Sequence, residues 1–446
     1  MTYDLNRIET DYNIKLDEEQ RNALSSLISF IYSKKQCICL TGNAGTGKSI
    51  ILSIIYDILS DNGYYCSFVT PTNKAKIVIE NKGEKGRAAT TIHSLLNLKP
   101  NLNILDFDAS DMLFESSGPS YVDFDVLLVD ECSMINDELY KVLLKKYRNK
   151  KIIFCGDPKQ LYSVKQHHIS LPFTNDIIEL HKIYRQPDSI LNKTLDTLRH
   201  HPIYHFIPES DDYSNIEIYS NIIEMLYKYS YLYKLSKDFN QLSIVKLVTY
   251  TNKRIQILNQ TIRHLLKYEQ EYVEGDILTG YYNCNFNNIN IENSEDYIVC
   301  DNPRPCILNN MKAWGLTLQS SYSEKFKIKI LSRDNSPESF YNLGEQLEIL
   351  RLKAVKSKLK SHWRDYFKFN SSFLTPIDII YDGRIVKRKS LDYGYCISAH
   401  RSQGSEYQIV MVDSENLKRC PNKEELRQLQ YVACSRTKST LIIYQK

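Results

Sequence analysis

The sequence is poor in glycine, with 15 in 446 residues, and it has no apolar run near the ~18 residues that a membrane-spanning helix needs. It has no C-x-x-C pair, and its eleven cysteines are an odd number. Several of them lie inside apolar runs, namely Cys37, Cys39, Cys155, Cys396 and Cys434. These features favour reduced, buried thiols over zinc sites and disulfides. The first residues lack a basic segment followed by an apolar one, so we expect no signal peptide.

The sequence also lacks a strong charge of one sign. Lysine and arginine number 57 against 53 acidic residues, so the formal net charge is only +4. A positive surface for nucleic acid must therefore be local if it exists. The chain is too long for one hydrophobic core, and we expect two to four domains.

Because glycine is scarce, residues 42–49 are informative: three glycines fall in Gly-Asn-Ala-Gly-Thr-Gly-Lys-Ser. Glycines let backbone N–H groups approach phosphate oxygens, and the N-terminus of the following helix favours an anion. Lys48 is predicted to reach the β- and γ-phosphates and Ser49 to hold Mg²⁺. The predicted phosphate site comprises Gly42, Asn43, Ala44, Gly45, Thr46, Gly47, Lys48, Ser49 and Ile50.

Apolar, strand-like runs alternate with helical patterns at both ends of the chain. The first set lies at 37–40, 66–70, 125–129 and 151–155, and the second at 243–249, 395–398, 408–412 and 440–444. This alternation is typical of parallel sheets covered by helices, whose ligands bind at the carboxyl ends of strands. We expect an α/β fold with a first domain over 1–190, a second over 191–269 and 391–446, and two insertions. These are a hairpin at 97–123 and a β-rich module at 270–390 with a charged helical stretch near 344–369.

Two acidic residues follow the strand-like run that ends at Val129. Asp130 is predicted to bind the Mg²⁺ shell, and Glu131 to activate the attacking water as general base. The next run ends in Gly156-Asp-Pro-Lys-Gln-Leu-Tyr-Ser-Val, in which Gln160 is placed to contact the γ-phosphate and the water.

The phosphate loop, Asp130-Glu-Cys-Ser-Met and the Gly156–Val164 segment, in this order, resemble the superfamily 1 helicases, close to the RecD-like and Dda-type phage enzymes of branch 1B. Further segments match motifs of that family: 16–23, 70–76, 90–96, 180–186, 250–260, 397–407 and 431–438. The resemblance implies two RecA-like motor domains with an SH3-like inserted module.

The resemblance also implies an ATP site shared by both motor domains. Gln20 would read adenine and Tyr184 would stack near it, while Gly404 and Glu406 would contact ATP from the second domain. Arg185 and Arg436 would stabilise the charge of the transferring phosphoryl group. The implied catalytic residues are Lys48, Asp130, Glu131, Gln160, Arg185 and Arg436.

Polar loops and aromatic rings are expected to hold a single strand of DNA. The predicted contacts are Pro71, Thr72, Asn73, Thr91, His93, Phe114, Tyr162, Thr251, Asn252, Ser398, His400 and Gln403. For His93 and His400 the alternative is a satisfied interior histidine. For Tyr162 and for Phe114, which lies in the insertion where relatives carry a duplex-splitting hairpin, the alternative is core packing.

These features predict a monomeric ATP-dependent DNA helicase that uses Mg²⁺ and ATP and moves 5′ to 3′. Its expected partners are single-stranded DNA, forked duplex DNA and replication or recombination proteins, with no membrane, in the cytoplasm (the host's for a viral protein). One alternative is a nucleic-acid-stimulated ATPase that remodels protein–DNA complexes, and another is the motor subunit of a recombination nuclease complex. An RNA substrate also stays open, because stacking and backbone contacts do not exclude a 2′-OH.

Overall fold

The fold was obtained as a computed structural model of the chain. It describes residues 3–70, 89–100, 114–116, 123–162, 169–184, 189–235, 244–320 and 324–446. The helices in these ranges are α1 (Leu5–Asp11), α2 (Glu18–Tyr32), α3 (Lys48–Asp61), α4 (Ile92–Leu95), α5 (Asp137–Lys146), α6 (Ile190–His200), α7 (Ile222–Tyr229), α8 (Tyr231–Leu235), α9 (Asn252–Leu265), α10 (Pro337–Ser357), α11 (Lys360–Asn370), α12 (Ala399–Ser402), α13 (Ser414–Leu417) and α14 (Lys423–Cys434).

The strands are β1 (Cys37–Gly42), β2 (Cys66–Thr70), β3 (Ala89–Thr91), β4 (Leu98–Pro100), β5 (Phe114–Ser116), β6 (Val126–Val129), β7 (Lys151–Gly156), β8 (Ile177–Leu180), β9 (Glu209–Ser210), β10 (Asn215–Tyr219), β11 (Val245–Thr249), β12 (Ile277–Gly280), β13 (Cys284–Phe286), β14 (Ile289–Ile291), β15 (Asp296–Val299), β16 (Arg304–Leu308), β17 (Met311–Ser320), β18 (Phe326–Leu331), β19 (Ile379–Tyr381), β20 (Arg384–Lys387), β21 (Leu391–Tyr393), β22 (Cys396–Ser398), β23 (Tyr407–Asp413) and β24 (Thr437–Tyr444). Short 3-10 turns lie at Cys132–Met134 and Leu171–Thr174.

The first sheet has six parallel strands in the order β3-β2-β6-β7-β1-β8. Its central strands are mostly apolar, and every residue of β1 and β6 is buried. Helices on both faces explain this, because a parallel strand covered on both sides reads as a continuous apolar run. The predicted α/β class is therefore confirmed for this part of the chain.

The second sheet has the order β22-β11-β23-β24-β10-β9, parallel except for the short edge strand β9. It joins residues from 209–249 with residues from 396–444, so the chain leaves this sheet and returns to it. A second parallel sheet at the end of the chain agrees with the predicted arrangement of two α/β units.

The intervening residues form a separate antiparallel sheet. β12, β15, β16, β17, β18 and β21 make up this sheet, in which the long strand β17 pairs with β15 and β16 along one edge and with β18 along the other. Strand β21 pairs with β12, so the antiparallel sheet continues three residues beyond position 390. The charged stretch near 344–369 is not one helix but two, α10 and α11, because Lys358 takes the left-handed conformation with φ of +56° and ends α10.

The expected hairpin of residues 97–123 is represented by β4 and β5, which pair antiparallel with Leu98 opposite Ser116. All eleven cysteines are free, and Cys37, Cys39, Cys155, Cys396 and Cys434 are buried, as expected. Across the described ranges, no helix has the length and apolarity that crossing a bilayer requires.

Candidate nucleotide site and strand-contacting edge

The phosphate loop connects β1 to α3 and turns through two glycines. Gly45 and Gly47 have φ of +84° and +85°, a region that favours glycine. A Cβ on Gly47 would also lie 2.8 Å from Gln20 Nε2. The Lys48 ammonium donates to the carbonyl oxygens of Gly42 at 2.9 Å and Asn43 at 2.7 Å. The Lys48 side chain therefore lies over the loop that is predicted to bind the phosphates.

The predicted metal ligands lie beside each other. Ser49, in the first turn of α3, donates its hydroxyl to Asp130 Oδ2 at 3.1 Å, and Asp130 directly follows β6. A hydroxyl and a carboxylate fit Mg²⁺, which prefers oxygen ligands and takes the others from phosphates and water. Ser49 and Asp130 would hold the ion, which when bound neutralises phosphate charge.

Glu131 is held in a less common backbone conformation, with φ of +51°, and its N–H donates to Asp130 Oδ1 at 2.9 Å. Burial raises the pKa of its carboxyl to about 7, and the neighbouring Asp130 adds to the shift, while Arg436 and Lys48 oppose it. A carboxyl with a pKa near neutrality can accept a proton from water and release it again. A pKa near neutrality thus suits the general-base role that was predicted for Glu131.

The predicted adenine side lies at the start of α2. Gln20 is 5% exposed, forms a capping box with Asp17, and donates its side-chain amide to the Thr46 carbonyl at 3.4 Å. The Tyr184 N–H donates to the Gly45 carbonyl at 2.9 Å. Partial desolvation of its hydroxyl and the hydrogen bond of that hydroxyl to Asp17 raise the pKa of Tyr184. The predicted reader and the predicted stacking ring therefore border the phosphate loop. Arg185 lies outside the described residues.

A cavity of about 500 Å³ lies at this loop and is lined by residues of both α/β halves. Of the predicted nucleotide and catalytic residues, its walls contain Gln20, Ala44, Gly45, Gly47, Lys48, Ser49, Ile50, Asp130, Glu131, Gln160, Tyr184, Glu406 and Arg436. Gly42 at the end of β1, Asn43 and Thr46 in the loop, and Gly404 are predicted residues that are not part of this lining. Gly404 has φ of +72° and lies two residues before Glu406. Ile14, Lys15, Gly156 and Ser435 also line the cavity and were not predicted.

Arg436 reaches this cavity from the second half. It is 5% exposed, and its guanidinium donates to the Val432 carbonyl at 3.0 Å, to the Ser405 carbonyl at 3.4 Å and to Ser435 Oγ at 2.9 Å. These three acceptors are neutral and fix the orientation of the guanidinium, whose charge acts on the nearby Glu131 carboxyl. Gln160 faces the same space, and within the described residues its Oε1 is buried without a hydrogen-bond partner.

Tyr431 is a site residue that motif matching did not single out. Its hydroxyl donates to Asp157 Oδ2 at 2.7 Å and accepts from the Ala44 N–H at 3.3 Å. Asp157 is fully buried, and its Oδ2 also forms an ion pair with Arg199 Nη1 at 3.4 Å. One hydroxyl on α14 of the second half therefore contacts the phosphate loop and the loop after β7 at once. The sequence signal was that Tyr431 is the first residue of the matched segment 431–438, in which only Arg436 was given a role.

The predicted strand contacts gather at the carboxyl ends of strands. Thr251 and Ser398 each cap a helix that begins directly after β11 or β22, and these strands are neighbours with Thr249 opposite Ser398. Asn252 is the first residue of α9. In the first sheet Thr91 caps α4 in the same way, opposite Thr70 of β2. Pro71, Thr72 and Asn73, which follow Thr70, lie outside the described residues.

The two predicted histidines are partly buried, and burial lowers the pKa of both His93 and His400. The His400 ring stacks on Tyr250 with 6.4 Å between centroids. Gln403 is 7% exposed, and within the described part of the chain its Nε2 has no hydrogen-bond partner. Neutral imidazoles and an unsatisfied amide fit contacts to a backbone or a base better than they fit ion pairs.

Of the two predicted aromatic contacts, the structure describes the side chain of Tyr162 but not that of Phe114. Phe114 begins β5 opposite Pro100, and its side chain lies outside the described part. Tyr162 is partly buried beside α14, where burial and Glu424 raise the pKa of its hydroxyl and Gln428 bonds to it. Tyr162 therefore lies between the two halves.

Two sequence families match the chain. One, described as an AAA domain, matches residues 15–219, and the other, described as a UvrD-like helicase C-terminal domain, matches residues 393–444. The first covers the phosphate loop, the acidic pair and Tyr184, and the second covers Arg436 and His400. Residues matched by each of the two families therefore line the cavity between the two halves.

Two related proteins cover most of the chain. An uncharacterised protein of Acanthamoeba polyphaga mimivirus is 26% identical over 95% of this chain and 98% of its own length. The ATP-dependent DNA helicase dda of Enterobacteria phage T4 is 24% identical over 80% of this chain and 86% of its own. Among solved structures, the Pif1 helicase from Bacteroides in complex with ADP-AlF3 and single-stranded DNA has a similar fold, with a TM-score of 0.53, 16% identity, and coverage of 96% of this chain and 92% of that one.

Proposed function

We propose that this chain, a superfamily 1B relative of the RecD- and Dda-type helicases, is an ATP-dependent DNA helicase that moves 5′ to 3′ along a single strand and unwinds duplex DNA as a monomer. The observation that carries the proposal is the cavity between the two halves, in which Arg436 of one half faces Glu131 and Lys48 of the other. A site divided between two bodies can change their separation when the nucleotide is hydrolysed.

The residues around the cavity support a specific division of roles. Lys48 would leave the loop carbonyls for the phosphates, and Glu131 would take a proton from the attacking water. Arg436, already oriented by its three acceptors, would stabilise charge that develops on the transferring group. Gln160 would use its buried Oε1 to orient the water, with Arg185 as a second arginine.

The strand would run over the carboxyl ends of both sheets. Thr91 and His93 would hold it on the first half, and Ser398, His400, Gln403 and the Thr251–Asn252 turn on the second. If one half grips more tightly when ATP is bound, closure of the cavity draws the strand past the other half. The same closure could move the strand either way, so the ATP chemistry does not choose the direction.

The 5′-to-3′ direction is inferred from the strand-contacting motifs. Residues 70–76, 90–96 and 156–164 resemble those of the RecD and Dda branch, and the Trp-Arg-Gly continuation typical of the opposite branch is absent after Gln160. The alternatives of a remodelling ATPase and of a subunit in a nuclease complex use the same site, so only an assay separates them from the proposal.

The test is unwinding of duplexes that carry either a 5′ or a 3′ single-stranded tail, in DNA and in RNA, with Mg-ATP. We expect strand separation on the 5′-tailed DNA, little on the 3′-tailed DNA, and none with Lys48→Ala. Preference for the 3′ tail would contradict the direction. ATP hydrolysis stimulated by single strands without any unwinding would favour the remodelling ATPase.

A further inference from the structure

A dense cluster of positive charge lies in the helical hairpin α10–α11, in the last turns of α10 and along α11. Residues 351–368 contain seven lysines and arginines and one carboxylate, Asp365, for a net charge of +6. Because the whole chain carries +4, all its other residues together carry −2. A local positive surface of the kind that a nucleic-acid protein needs is thus present in the inserted module. A second basic stretch, residues 141–151, lies in the first motor half, but there Lys150 pairs with Asp123, and Lys146 and Lys151 donate to backbone carbonyls.

The cations lie on the outer side of the hairpin. α10 buries Phe340, Leu347 and Ala354, and α11 buries Tyr366. At 100° per residue the exposed cations point away from these buried side chains: Lys353 and Lys356 on α10, and Lys360, Arg364 and Lys368 on α11, with Lys358 in the turn between them. None of these six forms an ion pair within the described part of the chain.

The antiparallel sheet separates this hairpin from the motor core. Met311, Ala313 and Leu331 pack with Phe340 and Tyr366 beneath the hairpin. Leu316, Leu318, Ile328 and Ile330, which alternate with them along β17 and β18, belong instead to the core that continues into the second parallel sheet. The two sets point to opposite faces of the sheet. The cations therefore face away from the strand-contacting edges.

The aromatic side chains of α11 pack on one another. Trp363, Tyr366 and Phe367 form a cluster with ring centroids 5.3 to 5.9 Å apart. Single-strand binding uses rings on which bases stack, whereas binding to a duplex backbone uses cations that neutralise phosphates. Lys360, Arg364 and Lys368 repeat every four residues, a rise of about 6 Å, which is near two phosphate steps of about 3.4 Å along one strand.

We propose that the outer face of α10–α11 binds the phosphate backbone of duplex DNA outside the motor cleft. This inference rests on the proposed helicase function and gives the inserted module a role in it. The hairpin holds the duplex arm of the substrate while the motor halves hold the single strand. The contact is independent of sequence and depends on salt concentration, because it acts through counterion release.

The test compares two variants of the full chain, each lacking four exposed cations. The hairpin variant is Lys356→Gln, Lys360→Gln, Arg364→Gln and Lys368→Gln. Its binding to a blunt 20-base-pair DNA duplex should weaken at least about tenfold near 0.1 M salt, and the slope of log affinity against log salt should fall by about 0.9 for each phosphate that is no longer neutralised. Binding to oligo-dT and ATP hydrolysis stimulated by oligo-dT should stay unchanged.

The matched control removes the same charge from the first half and α6 through Lys141→Gln, Lys145→Gln, Arg148→Gln and Lys193→Gln, all exposed in this structure. It should bind the duplex as the unchanged chain does. Thermal melting checks that both variants fold.

Three outcomes would overturn the inference: equal duplex affinity for the hairpin variant and the unchanged chain, equally weakened duplex binding in both variants, or a parallel weakening of oligo-dT binding. Failure of oligo-dT to stimulate ATP hydrolysis in the unchanged chain would instead count against the helicase function, so the two failures are distinguishable.

Discussion

Removal of one hydroxyl, in Tyr431→Phe, should weaken the contact between the two halves without changing their shapes. The hydroxyl donates to the fully buried Asp157 at 2.7 Å and accepts from the Ala44 N–H at 3.3 Å. In the variant, Asp157 keeps Arg199 at 3.4 Å and the Lys159 N–H at 2.9 Å. A hydrogen bond to a charged group contributes about 1.5–3 kcal/mol. The variant should therefore lower kcat/KM for ATP by about 10- to 150-fold, since each 1.4 kcal/mol is a factor of ten.

The assay is steady-state ATP hydrolysis with saturating oligo-dT, together with thermal melting. The matched control is Tyr233→Phe, because Tyr233 is equally buried and its hydroxyl donates to the Tyr395 carbonyl at 2.8 Å within the second half. The control should lower the melting temperature and leave kcat/KM unchanged. If both variants lose stability equally and neither changes kcat/KM, the hydroxyl has only a packing role.

Three further predictions concern the proposed chemistry. Lys48→Ala and Glu131→Gln should each abolish ATP turnover, but only Glu131→Gln should still bind a fluorescent ATP analogue; near-normal turnover by that variant would contradict its role as base. Arg436→Ala should lower strand-stimulated kcat far more than nucleotide affinity, because the arginine acts mainly on the transition state, whereas equal losses in both would indicate a structural ion pair. Phe114→Ala should slow unwinding and spare single-strand-stimulated ATP hydrolysis, because one ring at the junction replaces about one stacking step of ~1.4 kcal/mol; a parallel loss of both activities would indicate a core residue.

Much of the fold could be predicted because its strands are continuous apolar runs. The run at 66–70 matches β2, and the run at 37–40 lies within β1, which extends to Gly42. The resemblance to superfamily 1 helicases is confirmed by the related proteins and by the fold. Strand order was not predictable, since a pairing such as β10 with β24 joins segments more than 200 residues apart.

Local signals also failed where a turn depends on an unusual backbone conformation. The break between α10 and α11 falls at Lys358, a residue that continues helices readily, and no glycine or proline marks it. Likewise, Leu391–Tyr393 could not be assigned to the antiparallel sheet from its own residues, because its partner β12 lies more than 100 residues earlier.

In the candidate site, too, some residues could be predicted from the sequence and others could not. Lys48, Ser49 and Asp130 were found because phosphate and metal chemistry requires these residue types at fixed positions after strands. The Tyr431 hydroxyl was missed because its partners lie 274 and 387 residues away, and a tyrosine on a largely buried helix is most simply explained by packing.

A single helix, α14, connects the nucleotide cavity to the strand-contacting edge. Tyr431 on this helix touches the phosphate loop, and Arg436 follows its end and lines the cavity. The same helix packs against α12, which carries His400, and Ala399 shares a hydrophobic core with Tyr431 and Val432. Packed interiors resist deformation, so a change in the distance between Arg436 and the phosphate loop must shift α12 together with α14. The strand contacts of the second half therefore respond to the nucleotide through rigid packing, and a hinge inside that half is not needed.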